Sequence, residues 1–192
     1  MALRTLLGEF LSWVVYPLWL LAGAGDYLAH RFTDIERTSG PRESWLHLAQ
    51  FASIAIIFCG AVLLEMTFGV LAIMAVALIV HAALSLTDVS YTLGRRHISA
   101  FEQHVHGFMD VLPFVAVCLL ALMHWETLFL RDASGSMLRW KENPLTSAEI
   151  GLLLGSFFVV AGGPLAEEWL RTQRAQGGEL RSGAKCRAVE VK

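Results

Sequence analysis

The stretch from His81 to Asp110, HAALSLTDVSYTLGRRHISAFEQHVHGFMD, holds four of the chain's seven histidines and three carboxylates, with long apolar runs on both sides. Ionisable residues inside such runs are tolerated where they are paired or functional. The spacing is helical. His81 and Asp88 sit two turns apart, and Glu102, His106 and Asp110 follow at intervals of four, so each set shares one helix face. Two shorter copies of the pattern come earlier, Asp26-x-x-x-His30 and Glu43-x-x-x-His47. The four segments together read as the ligand set of a metal site inside a membrane protein.

The 192 residues are 55% hydrophobic and only 17% charged, and the mean hydropathy is +0.54. That is too apolar for an ordinary soluble domain and predicts an all-α, polytopic integral-membrane helical bundle. About five transmembrane helices are expected, near residues 6–30, 43–65, 68–93, 99–122 and from 146 onward, with a four-helix metal-binding core. Residues 1–175 read as one transmembrane domain, and 176–192 as a polar, disordered tail. The net charge of −2, with no basic run interleaved with aromatics, argues against nucleic acid as a partner. Glu9 interrupts the first apolar run and Arg4 is its sole early cation, so no cleavable leader is expected. Cys59, Cys118 and Cys186 form no C-x-x-C pair, which argues against a zinc ribbon or disulfide framework.

Ser99-x-x-Glu102 and Thr146-x-x-Glu149 read as capping boxes opening the fourth and fifth helices. Pro113 is expected to kink the fourth, and Gly162-Gly163-Pro164 to interrupt the fifth. Gly23, Gly25 and the Gly151-x-x-x-Gly155 pair offer faces where helices approach closely. Arginines and lysines concentrate in the connectors after the first and third helices and in the tail. That bias predicts the C-terminus and the metal site on the cytoplasmic side, and a bacterial inner membrane is the expected location.

Depth is the main argument for the site. Helices running toward one face carry their acids and histidines late, and those running away carry them early, so all four clusters reach one membrane level. At a rise of about 1.5 Å per residue, a four-residue step changes depth by about 6 Å. His30, Glu43, Asp88 and Glu102 are expected in an outer layer, and Asp26, His47, His81, His106 and Asp110 in a deeper one. A lone carboxylate or imidazolium in hydrocarbon costs roughly 2–4 kcal/mol on insertion scales. Five carboxylates and four histidines therefore call for a compensating cation. The number exceeds a closed mononuclear zinc site and suits two metals bridged by carboxylates. Mixed histidine and carboxylate without thiolate favours iron, with manganese or zinc as alternatives. His97, His104, Arg95 and Arg96 are candidates for supporting contacts around the ligands. Glu167 and Glu168 reach the same face but read as a solvated helix end.

Ligands from four helices resemble those of the di-iron carboxylate bundles, which use Glu on two helices and Glu-x-x-His on two others. Here the spacing is x-x-x, and Asp stands at several positions. The many histidines in a membrane setting are also similar to the integral-membrane desaturase and hydroxylase class, although its H-x-x-H-H boxes are absent. Glu102-Gln103-His104-Val105-His106 comes nearest to one. The resemblance covers residues 26–110. It implies two iron ions, O2 activation and a lipid-like substrate. Electrons would come from a separate donor protein, since no flavin, haem or iron–sulfur motif occurs. Two other classes stay open from sequence: a zinc-dependent hydrolase of a membrane lipid ester, amide or phosphate, and a metal or proton transporter.

Overall fold

In this computed structural model the backbone is described for residues 2–130, 138–142 and 144–190, and side chains for 3–129, 138–142 and 144–178. Five helices are long and apolar enough to cross a membrane: Leu3–Phe32, Pro41–Leu63, Phe68–Thr92, Ala100–Met123 and Ser147–Gly178. They form a helical bundle. The helix containing the fifth span extends to Glu190, so the backbone of the polar tail is helical that far. The side chains after Gly178, on which the expectation of disorder rests, lie outside the described residues.

The four-residue link Leu64-Glu65-Met66-Thr67 leaves the second and third spans no choice but to fold back on one another, and they pack along their length. Thr67 caps the third span by accepting from Val70 N at 3.2 Å. Gly94, at φ +79°, closes it in the left-handed conformation that only glycine adopts cheaply. The first and fourth spans form the other close pair. Gly25 permits it, because a Cβ there would lie 3.3 Å from both Phe101 and Val105. Gly151 and Gly155 differ. A Cβ at either would meet nothing within 4 Å, so the pair is not a packing face among the described residues.

The fifth span is keyed in by Phe157, which is fully buried and stacks on Phe58, Phe51 and Trp19 at centroid distances of 4.4, 4.9 and 5.5 Å. Gly162-Gly163-Pro164 does not end this helix. The backbone widens into a π-helical turn over Phe157–Gly162 and resumes as α-helix at Gly163, a position where the missing N–H of Pro164 costs little. Gly162 lets the span approach Phe51, since a Cβ there would come within 3.2 Å of that ring. Pro113 lies inside a helix that runs unbroken from Ala100 to Met123. Apolar side chains such as Leu21, Ile79, Leu86, Phe114 and Val159 point outward on several spans, as a lipid-facing surface requires.

At the end opposite the site, Arg4 donates to His124 Nε2 at 2.9 Å, and His124 Nδ1 lies 3.0 Å from Leu120 O. Burial, with the Arg4 charge behind it, pushes this imidazole below its ordinary pKa.

Candidate metal centre

Two histidines define the centre. His30, from the first span, and His47, from the second, stack almost parallel, with ring centroids 4.5 Å apart and an interplanar angle of 5°. Glu168 from the fifth span lies beneath both. His30 Nδ1 is 2.9 Å from Glu168 Oε2, and His47 Nδ1 is 2.9 Å from Glu168 Oε1, which also accepts from Ser44 Oγ at 2.9 Å. A carboxylate accepts hydrogen bonds, so each Nδ1 carries a proton and each Nε2 is left facing away from Glu168.

Both Nε2 atoms face further carboxylates. His30 Nε2 is 3.6 Å from Asp26 Oδ2 and 3.5 Å from Glu102 Oε1. His47 Nε2 is 3.1 Å from Asp88 Oδ2 and 3.9 Å from Glu43 Oε1. In a neutral imidazole such contacts set a nitrogen lone pair against oxygen lone pairs. Either a second proton or a cation relieves them. Two ligand atoms each about 2.1 Å from one ion, at angles between a right angle and the tetrahedral value, lie about 3.0–3.5 Å apart. Two of the observed separations, 3.1 and 3.5 Å, fall in that range, and the other two, 3.6 and 3.9 Å, exceed it by a few tenths of an ångström. Asp26 with His30 and Glu102, and Glu43 with His30 and His47, each offer ligand atoms within 4.8 Å of one another.

The unpaired atoms point the same way. Among the described residues Asp26 Oδ1, Asp88 Oδ1 and Glu102 Oε2 are buried without a hydrogen-bond partner. Buried polar atoms seldom go unpaired, and three on one cluster suit a cation. The donor set consists of four carboxylates and two imidazoles, with Asp26 and Glu102 facing His30 Nε2 and Asp88 and Glu43 facing His47 Nε2, and His30 belongs to both groups of closely spaced ligand atoms.

Arg96 closes the outer end. Its guanidinium donates to Glu43 Oε1 at 2.5 Å and also to Glu102, one acid facing each histidine, and its side chain is only 4% exposed. Burial opposes the Arg96 charge, but Glu102 and Glu43 more than offset this and hold its pKa above the ordinary value. Glu102 therefore caps its helix only with its backbone, donating to Ser99 Oγ at 3.1 Å, while its carboxylate is drawn into the site. The capping box expected there is half formed. The one at Thr146 and Glu149 is complete.

The remaining expected ligands form a separate, adjoining layer. His81 Nε2 lies 3.2 Å from Asp110 Oδ1, and Ser85 Oγ donates to Asp110 Oδ2 at 2.8 Å and lies 3.2 Å from His106 Nε2. His106 Nδ1 reaches toward Asp26 Oδ1 at 3.7 Å, and Gln50 Nε2 donates to Asp88 at 3.3 Å, so the two layers touch. All nine expected ligands thus gather at one end of the bundle, but six form the donor set and three pair beside them. The stack also puts His30 and His47 at one level, where the depth argument separates them.

Of the expected supporting residues, Arg96 is in place and the others are not. His97 and His104 are exposed, His104 against the edge of Phe108 at 5.1 Å. Arg95 is exposed over the Tyr91 ring at 4.0 Å and donates to Tyr91 O. Glu168 reverses its sequence reading as a solvated helix end: it is fully buried. Its neighbour Glu167 does face outward, where Tyr27 donates to it at 2.8 Å and Arg31 pairs with it at 3.1 Å. The Arg171–Glu36 pair further ties this end of the fifth span to the first connector. The four-helix core expected from sequence is thus completed by a fifth helix.

A cavity of about 40 Å³ adjoins the cluster. Asp26, His30, His47, His81 and His106 line one side, and Trp19, Phe51, Ile54, Met109 and Leu165 supply apolar walls.

Fold and site together define a membrane-type helical bundle with a buried histidine and carboxylate centre at one end. Comparison with family models, curated proteins and solved structures finds no match to this chain.

Proposed function

We propose that this chain is a membrane-embedded di-metal oxidoreductase, with two iron ions, that uses O2 to hydroxylate or desaturate a lipid-like substrate. The observation that carries this reading is the two-fold arrangement over Glu168. Two spans each contribute an acid and a histidine, and two others each contribute one acid. This is the ligand economy of the di-iron carboxylate bundles. Asp26, His30 and Glu102 would hold one ion, and Glu43, His47 and Asp88 the other. Bound there, a redox-active pair supplies the electrons for O2 reduction and the oxidising power to attack a C–H bond.

The protein's own groups do the rest. Glu168 fixes both imidazoles in the tautomer that presents Nε2 to the metal side, the usual arrangement around a ligating histidine. Arg96 balances the two outermost carboxylates. Asp110 Oδ1 and His81 Nε2 lie 3.2 Å apart, with His81 on the wall of the cavity. The apolar walls exclude water from the reacting end. Hydroxylation inserts one oxygen atom of O2 into C–H and releases the other as water, consuming two protons and two external electrons. A separate electron-donor protein supplies those. The arginines near the centre, Arg31, Arg37, Arg42, Arg95 and Arg171, support a cytoplasmic location for this end.

The test is anaerobic loading with ferrous iron followed by exposure to O2. The proposal expects rapid O2 uptake coupled to oxidation of the bound iron, and loss of the reaction in His30→Ala and His47→Ala. Selective retention of zinc, with no reaction toward O2 after iron loading, would point to the hydrolase class instead.

A further inference from the structure

Behind the cavity at the centre lies a second one, of about 100 Å³, lined by Leu11, Ile57, Ala61, Leu112, Ala116 and Leu120 among others. Trp19 and Ile54 line both cavities, so the two adjoin. Together they run from the metal-facing side chains into the apolar half of the bundle. Along the first span, about 16 Å separates His30 from Trp19 and about 12 Å more reaches Leu11. The tyrosine on the second cavity, Tyr16, turns its hydroxyl to Ser156 Oγ at 2.7 Å and leaves its ring to the wall.

The geometry points to a binding site for a single unbranched alkyl chain of a membrane lipid, its methyl end between Ala61 and Ala116 and its reacting portion beside His81 and His106. Well-packed protein interiors leave little free space, yet here two partly open hollows share a wall next to the centre. Sites for compact drug-sized ligands occupy about 300–1,000 Å³ in one space. These cavities are smaller and divided, which disfavours a ring system. A polymethylene chain needs length rather than width. A cavity of roughly 150 Å³ already takes up benzene, so the second space is of the size that holds a short run of hydrocarbon. The bilayer around the outward-facing side chains is the source of such chains. The assignment rests on the proposed centre for what happens at the inner end, but not for binding of the chain.

The probe is dodecanol carrying a diazirine at its terminal carbon, photolysed with the full chain in nanodiscs and mapped by peptide mass spectrometry. Labelling is expected at Ile57, Ala61, Ala116 or Leu120, in addition to lipid-facing Ile79 and Phe114. Ala116→Phe fills the far cavity and should reduce the inward labels by about tenfold or more, leaving the lipid-facing labels and the bound metal unchanged. Ala61→Phe, from the opposite wall, should do the same and serves if the first variant fails to fold. Wild-type labelling confined to lipid-facing positions overturns the assignment, as does inward labelling that persists in a folded Ala116→Phe or Ala61→Phe variant. Inward labelling in a protein that retains no metal supports the chain site while removing the oxidoreductase reading. Bound metal without inward labelling removes the chain site alone.

Discussion

Glu168→Gln lowers the affinity for divalent transition metal by about 10–100-fold, the range typical of partners that orient ligating histidines. The substitution preserves shape and burial. It removes one of two acceptors that sit 2.9 Å from the Nδ1 atoms of His30 and His47. The new amide nitrogen can only donate. The imidazole facing it must move its proton from Nδ1 to Nε2, and that Nε2 loses the lone pair a metal needs. Isothermal titration with Mn2+, a redox-stable stand-in for ferrous iron, measures the loss. Glu167→Gln is the control. Its carboxylate faces outward to Tyr27 and Arg31, and exposed changes of this kind stay within about 0.5 kcal/mol. Equal losses in the two variants would remove Glu168 from the account.

Arg96→Ala unfolds the metal-free protein at a markedly lower temperature, and metal restores most of the loss. Arg96 is the cation that touches both Glu43 and Glu102, and all three side chains are buried. Removing one partner of a buried ion pair costs about 3–5 kcal/mol, because the charge left behind stays unpaired. For a chain of this size that corresponds to roughly 6–20 °C in Tm. Two bound cations would supply the missing positive charge. The variant should therefore gain more from saturating Mn2+ than the wild type does, when thermal melts in detergent are compared with and without metal. An identical metal-induced shift in both proteins would mean that Arg96 and the ions do not share the same carboxylates.

The spans and the gathering of ligands are legible in the sequence because both rest on short-range rules. Apolar runs of about twenty residues announce themselves, and an acid four residues from a histidine shares its helix face. Gly25 is legible for the same reason, since a small residue beside polar ones marks a close crossing. What escapes depends on how helices turn and shift against one another. His30 and His47 stack at one level because adjacent spans are offset along their axes, which a count of residues from the loops does not show. Glu168 depends on the π-helical turn at Phe157–Gly162, which sets the face that the following residues present. The available signal is the cluster of small residues Ala161, Gly162 and Gly163 just before an acid at the depth of the site. Arg95 and Arg96 are indistinguishable as neighbours in a basic connector. The turn after Gly94 separates them, leaving Arg95 exposed on Tyr91 and folding Arg96 into the centre. His81 and Asp110 read as ligands because deep polarity demands compensation, and they compensate each other.

Metal content per chain is the most direct measurement. Protein purified without chelators, then loaded anaerobically with ferrous iron and freed of excess, should retain two ions per chain by mass spectrometry. His30→Ala and His47→Ala should each lose at least one while remaining folded. A well-folded wild type that retains no transition metal, with its imidazoles held instead as cations among the surrounding carboxylates, would contradict the account.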